Sequence, residues 1–371
     1  MVFIHKMGVR FSHGLLFIGM KEKYICAVPF TSLELHDKTR FLCCADWLKK
    51  PLPMNTSPAS AWNSKEANSI RDSILDGSYR YCDSNKCPML HQLETFGDNG
   101  KIEPLYKKDR LPSQLLTQIE AYRNDTLIPT VVQFSFDRTC NLKCPSCRVE
   151  IFTADKVKIK EVESTISDIQ KTYGSGIEIL YITGSGDPFI SVGFRNFLRK
   201  FRKENWPALK SIHLHTNATK WDKKMWDTMS NIHPYVKSCE ISIDAATKNT
   251  YENKTRIGGK WDVLIDNLKF ISTIPKLKRI KTSFVVQQQN YKEMKLFYNL
   301  MISIFGNKAN VYYGKITNWG TFNEQEFTLH EIWNKSHPEY GEFIQEVNKT
   351  LPARNAWSNL QEFITISKSL I

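Results

Sequence analysis

Between residues 129 and 317 the hydrophobic pattern alternates between two periods. Strand-like apolar runs fall at 131–136, 177–183, 209–216, 236–244, 279–287 and 309–316. Between them, apolar residues recur three or four positions apart. Val162, Ile166, Ile169 and Tyr173 do so before Gly174, and Met294, Phe297, Met301 and Ile304 before Gly306. Phe194, Phe197 and Phe201, then Met225, Met229 and Ile232, then Leu264, Leu268 and Ile271 mark three further helices. Repeated strand–helix units predict an α/β fold with a parallel sheet and right-handed crossovers.

The polar residues inside these strands are unusual for a sheet covered by helices, whose faces should be apolar. Period two puts Gln133, Ser135 and Asp137 on one face of the first strand, and His213, His215 and Asn217 on one face of the third. Glu240, Ser242 and Asp244 share a face of the fourth strand, as do Lys281, Ser283 and Gln287 of the fifth. If the apolar parity meets the helices, these polar groups line an interior that holds a polar ligand. No spacing singles out one of them as catalytic, and His213 and His215 read as hydrogen-bonded strand histidines.

Before this region, Ser64 can cap a helix carrying Ile70 and Ile74, ending near Gly77. Residues 91–128 hold Gly97, Gly100, Pro104 and Pro112 and a short helix near 114–122, and read as a linker. After it, residues 318–371 carry a helical pattern near Phe343 and Val347 and read as a C-terminal cap. The apolar run Leu15-Leu-Phe-Ile-Gly-Met20 is too short to span a bilayer.

Composition changes this picture little. The 371 residues are 41% hydrophobic and 12% aromatic, values of a globular chain. Lysine and arginine number 51 against 38 acids, a net charge of +13. The basic clusters at 199–203 and 276–281 read as solvated faces of helices and strands rather than a nucleic-acid surface.

The chemistry lies in the nine cysteines. Cys140, Cys144 and Cys147 fall within eight residues directly after the first strand of the alternating region. Soft thiolates gathered in one loop suit an iron–sulfur cluster, and three of them leave one iron of a four-iron cube open. A structural zinc site asks for four ligands, one more than this loop offers. An odd cysteine count without a secretory signal argues against a disulfide framework and for a reducing, cytoplasmic setting. A second group, Cys26, Cys43, Cys44, Cys82 and Cys87, lies near the N-terminus, whereas Cys239 sits in an apolar strand as a core residue.

The Cys-x3-Cys-x2-Cys loop resembles that of the radical S-adenosylmethionine (radical SAM) superfamily. The resemblance implies a partial (β/α)6 TIM-type barrel over 129–317. It also implies a [4Fe–4S] cluster on Cys140, Cys144 and Cys147 that cleaves S-adenosylmethionine to a 5′-deoxyadenosyl radical. Ser185-Gly-Asp-Pro188 resembles the family's Gly-Gly-Glu-Pro motif, with Ser185, Gly186 and Asp187 beside the methionyl amino group. Thr216-Asn217 resembles its Thr-Asn-Gly, with Ala218 in place of glycine, and Ser242-Ile-Asp244 its Ser-Ile/Leu-Asp. Ser242, together with Arg256, would then hold the methionyl carboxylate, a task suited to a planar guanidinium, and Asp244 or Ser242 would help place S-adenosylmethionine. Ser146 stands where the family often has an aromatic residue, so adenine contacts come from elsewhere, with Phe136 or Tyr181, and Val285 and Val286, as candidates.

Residues 20–90 resemble the SPASM or twitch auxiliary-cluster modules of such enzymes, placed here before the barrel rather than after it. That resemblance implies a second [4Fe–4S] cluster on Cys26, Cys43, Cys82 and Cys87, with Cys43 preferred to Cys44, serving electron transfer or structure. Zinc on the same four ligands is the alternative. An external one-electron donor such as flavodoxin or ferredoxin is implied too. SPASM-type relatives imply a peptide substrate; oxidation of a sugar or aminoglycoside is the second expectation, and a zinc-bound nucleic-acid adaptor a remote third.

Overall fold

The computed structural model describes residues 23–44, 47–49, 51–53, 57–96, 104–351, 353, 355–360 and 363–364. The apolar run at 15–20, part of the expected 20–90 module, residues 97–103 of the expected linker and the end of the expected cap lie outside them. Among the described residues no helix is long and apolar enough to cross a membrane.

The chain divides into two compact units. The first comprises Met1–Phe134, Ser167–Leu180 and Glu204–Ala208, the second Ser135–Ile166, Tyr181–Lys203 and Leu209–Ile371. In the first, four short strands, β1 (Tyr24–Cys26), β2 (Ser32–His36), β3 (Arg40–Phe41) and β4 (Leu105–Lys107), include two antiparallel pairs, β1 with β4 and β2 with β3. Helix Lys65–Leu75 begins where Ser64 accepts a hydrogen bond from the Ala67 amide at 3.1 Å, and it buries Ile70 and Ile74 as their spacing predicts. Helix Ser113–Arg123 matches the short helix expected in the linker.

The six predicted strands are present with slightly trimmed ends: β5 (Val131–Ser135), β6 (Ile179–Ile182), β7 (Ser211–Thr216), β8 (Val236–Ser242), β9 (Arg279–Val286) and β10 (Ala309–Lys315). In the second unit β7, β8, β9 and β10 lie side by side in chain order, all parallel, and a further strand, β11 (Ala356–Ser358), adds to β10. Three residues are too short a run for alternation to announce β11. The fold is α/β with a parallel sheet.

Helices Lys156–Tyr173, Val192–Arg199, Trp261–Ser272 and Met294–Phe305 carry the predicted apolar stripes, although Phe201 falls past its helix. The helix expected through Met225, Met229 and Ile232 is instead a short α-helix, Lys223–Asp227, followed by a 3₁₀ turn, Ser230–Ile232. Thr228 Oγ1 donates to the Met225 carbonyl at 2.7 Å, and the Ile232 amide bonds the Met229 carbonyl three residues back at 3.0 Å. A 3₁₀ turn also buries residues three apart, so spacing alone could not separate the two.

The sheet of the second unit has two unlike faces. Ile212, Leu214, Cys239, Ile241, Ile280, Phe284, Val311 and Tyr313 are buried on one, while His213, His215, Glu240, Ser242, Lys281 and Tyr312 on the other are half-buried. A register shift at Ile212 and His213 keeps Cys239 on the apolar side and sets Ser238 beside His213.

Candidate functional site

The site is built at the C-terminal ends of the strands, the end where parallel α/β sheets present their ligand-binding loops. Three strand ends turn through a left-handed, non-glycine residue: Thr183 (φ 89°) after β6, Ala218 (φ 60°) after β7 and Asp244 (φ 57°) after β8. Such conformations cost on the order of 1–3 kcal/mol each and gather where function demands them.

The cysteine loop follows β5. Asp137 anchors its start, accepting from the Thr139 amide at 2.9 Å, the Thr139 hydroxyl at 2.6 Å and the Ser191 hydroxyl at 2.6 Å. A tight turn follows, in which the amides of Cys147 and Arg148 both bond the Cys144 carbonyl, at 2.9 and 3.0 Å. Cys140 and Cys144 are buried around Leu142, and Cys147 is exposed.

Each of the three sulfurs receives one side-chain donor. Asn217 Nδ2 lies 3.5 Å from Cys140 Sγ, Arg256 Nη1 3.4 Å from Cys144 Sγ and Arg148 Nη2 3.4 Å from Cys147 Sγ. Asn217 is held by its neighbours, its Oδ1 accepting from the Thr219 hydroxyl at 2.6 Å and amide at 2.9 Å. Arg256 closes a π turn over Tyr251–Thr255, its amide bonding the Tyr251 carbonyl at 2.8 Å. Its Nη2 meets Asp244 Oδ2 at 2.6 Å, and Asp244 Oδ1 accepts from the Val285 amide at 2.7 Å.

The loop after β6 is fitted against the cysteine loop. Thr183 Oγ1 accepts from the amides of Ser185 at 3.2 Å and Gly186 at 3.0 Å, while the Ser185 hydroxyl donates to the Ser135 carbonyl. A Cβ on Gly186 would stand 2.3 Å from the Asp137 carbonyl oxygen and 2.8 Å from that of Thr139, so only glycine fits. Asp187 faces inward. Its oxygens accept from the Thr216 hydroxyl (2.7 Å), the Asn217 amide (2.8 Å) and the Phe189 amide (2.9 Å), so its carboxylate braces two loops together.

The sequence-derived residues thus come together, with one at a distance from the sulfurs. Ser242 bonds His215 Nε2 at 2.9 Å and Ser283 Oγ at 3.3 Å on the polar sheet face. There His213 bonds Ser238 at 2.8 Å, and Lys281 pairs with Glu240 at 2.9 Å beneath the rings of Tyr312 and Trp357, at 4.4 and 4.9 Å. Val286 is buried on the apolar face, and Val285 is half-buried. Arg148, Thr183 and Ser191 escape sequence reasoning. Only Arg148 leaves a trace, as a cation next to the third cysteine.

Electrostatics follow from burial. Burial pushes the Cys140 and Cys144 thiols up, Cys144 to about 11 even though Arg256 pulls the other way. Burial also works against the charge of Arg256, and Asp244 and Cys144 more than offset it. Burial, together with His215, brings His213 down to about 4, so it is neutral at physiological pH.

The second set of cysteines also assembles. Cys26, Cys43, Cys82 and Cys87 line one cavity in the first unit with Tyr79, Trp47, Leu48 and Ile74, and Cys44 is absent from that lining. Burial raises the Cys26 and Cys43 thiols, and the neighbouring cysteines raise them further. Among the described residues no group of three or more His, Cys, Asp or Glu is arranged to close on a single metal ion. A four-iron cube asks for something different, one thiolate at each of its own irons. For the loop at 140–147, the donor set and a buried Arg256 Nε without a hydrogen-bond partner fit a cluster with an anionic ligand beside it. The four thiols that line the first unit's cavity are of the same donor type.

Among known proteins, the S-adenosylmethionine-dependent nucleotide dehydratase RSAD2 of Oncorhynchus mykiss is 26% identical to this chain over 181 residues. That is 48% of this chain and 47% of the relative, so the match spans about half the length of each. Streptococcus suis SuiB bound to S-adenosylmethionine aligns with a TM-score of 0.44 at 15% identity, over 81% of this chain and 64% of that one. Polyhistidine-tagged anSMEcpe with bound AdoMet aligns at 0.38 and 18% identity, over 51% of this chain and 50% of that one. No family model matches. The likeness to an S-adenosylmethionine-dependent relative supports the radical SAM resemblance.

Proposed function

We propose that this chain is a radical SAM enzyme with its cluster on Cys140, Cys144 and Cys147. The observation that carries the reading is the set of three sulfurs in one loop, each met by its own polar donor. When bound there, the cluster would supply the electron for reductive cleavage of S-adenosylmethionine, and with it the means of substrate hydrogen abstraction. The chain's own residues hold and orient. Arg256, through its free Nε, takes the methionyl carboxylate, and the backbone of Ser185 and Gly186 takes the amino group. Asp187 and Asp244 fix the loops that present these groups.

In the same reading, residues 129–317 form the partial barrel, and Cys26, Cys43, Cys82 and Cys87 of the 20–90 module hold an auxiliary [4Fe–4S] cluster. Nine cysteines, seven of them read as cluster ligands, suit a reducing, cytoplasmic setting, and the charge of +13 suits an acidic one-electron donor such as flavodoxin or ferredoxin. The substrate is a peptide, on the resemblance of the cysteine-rich module to those of peptide-modifying relatives. A nucleotide is the second reading, favoured by the likeness to a nucleotide dehydratase.

Anaerobic reconstitution followed by iron, sulfide and 5′-deoxyadenosine assays tests the core of this reading. We expect iron, sulfide and dithionite-dependent formation of 5′-deoxyadenosine. A colourless protein that binds zinc and forms none overturns it. Deuterium transfer into 5′-deoxyadenosine from labelled peptides or labelled nucleotides decides between the substrates.

A further inference from the structure

Two of the three sulfur donors, Asn217 and Arg256, belong to motifs expected to hold the cofactor. The third, Arg148, belongs to none. It is 7% exposed, and its guanidinium ties three segments together. Nη1 donates to the Arg138 carbonyl at 2.8 Å, at the start of the cysteine loop, and Nη2 donates to the Ser185 carbonyl at 2.7 Å, in the loop after β6. The same Nη2 reaches Cys147 Sγ at 3.4 Å. Its oxygen partners are therefore neutral carbonyls. The groups that favour its charge, against burial, are Cys147, Cys140 and Cys144.

A buried cation needs a nearby anion, because an uncompensated buried charge is costly. Cys147 is the most exposed of the three sulfurs, where solvent rather than protein would otherwise set the surroundings. Hydrogen bonds to sulfur and the net local charge both set the potential of an iron–sulfur cluster. One-electron reduction adds a negative charge to the cluster, so a cation donating to a ligand sulfur favours the reduced state.

Resting on the cluster assignment above, we infer that Arg148 is a positioning residue that raises the reduction potential of the cluster held by Cys140, Cys144 and Cys147. It does so by donating to Cys147 Sγ while its two carbonyl bonds fix the guanidinium in place.

The test is an EPR-monitored redox titration of the reconstituted full chain, with iron per chain and thermal melting measured in parallel. In Arg148→Met we expect the reduced-to-oxidised ratio at a given potential to fall about tenfold, a midpoint lower by about 59 mV for a one-electron couple. Arg148→Lys should shift less, because an ammonium keeps the charge but cannot fork across the carbonyls and the sulfur. If the Met variant loads no cluster, Arg148→Gln, which keeps an N–H donor without the charge, is read in its place. A loaded Met or Gln variant with the wild-type midpoint overturns the inference. So does loss of the cluster from all three variants, which would make Arg148 a brace only. A wild-type chain that binds no iron overturns the cluster assignment instead, and this inference with it.

Discussion

Arg256 and Asp244 face each other at 2.6 Å with almost no exposure to water. Removing one partner of such a pair leaves the other charge buried alone, so Asp244→Ala should cost about 3–5 kcal/mol in urea unfolding. The Arg256 side chain would also lose its fixed direction, and S-adenosylmethionine binding should weaken in the same variant. His213 behaves differently. It titrates near 4 when folded and near 6.5 when unfolded. Between those values the unfolded chain takes up the proton, so this contribution is complete above about pH 6.5 and fades as pH falls toward 4. It amounts to at most about 3 kcal/mol. Unfolding free energies at pH 7 and pH 5 should therefore differ less in His213→Gln than in the wild type. The three cysteines were legible because their spacing is local, and Arg256 because of the family resemblance. Arg148 was not, because its partners Arg138 and Ser185 are set by how two loops pack.

At the scale of elements, the loops matter more than the strands they follow. The strands could be read from alternation, and their polar parity does mark the half-buried face that carries His215, Glu240 and Lys281. What alternation could not show is how Thr183, Ala218 and Asp244 turn the chain at three strand ends. Nor could it show that Gly186 touches the backbone of Asp137 and Thr139. Gly186→Ala would force a methyl group into those carbonyl oxygens. The chain should still fold, since the clash is confined to one loop, but reconstituted iron at the 140–147 loop should drop several-fold. Normal iron content in that variant would show that the two loops need not meet so closely. The broken helix after Lys223 teaches the same lesson in reverse, since spacings of three and four fit an α-helix and a 3₁₀ turn alike.

At the scale of the whole molecule, cysteines concentrate in two places, one within each compact unit. This makes the auxiliary-cluster proposal testable by counting iron. Cys43→Ala should remove about half of the bound iron and leave the EPR signal that responds to S-adenosylmethionine. Cys44→Ala should keep the full complement, because Cys43 lines the cavity and Cys44 does not. Equal losses from the two variants would return the choice between them to an open question, and no loss from either would remove the cluster from the first unit. Adjacent residues on an extended segment point to opposite sides, which is why only one of the pair is expected to face a shared cavity.

Sequence alone determined most of the elements and singled out the cysteine loop, because helix and strand periodicity and short-range cysteine spacing are properties of neighbouring residues. It named the 140–147 trio, and through the family resemblance the 185–188 turn, Asn217, Asp244, Arg256 and the four cysteines that line the first unit's cavity. Only the tertiary structure decided what those groups touch. Residues far apart in the chain, such as Cys144 and Arg256 or Cys140 and Asn217, meet because the loops that follow the strands pack together at the strands' C-terminal ends. The same packing turned Asp187 inward as a brace and set Arg148 against the Arg138 and Ser185 carbonyls, contacts that no local pattern encodes.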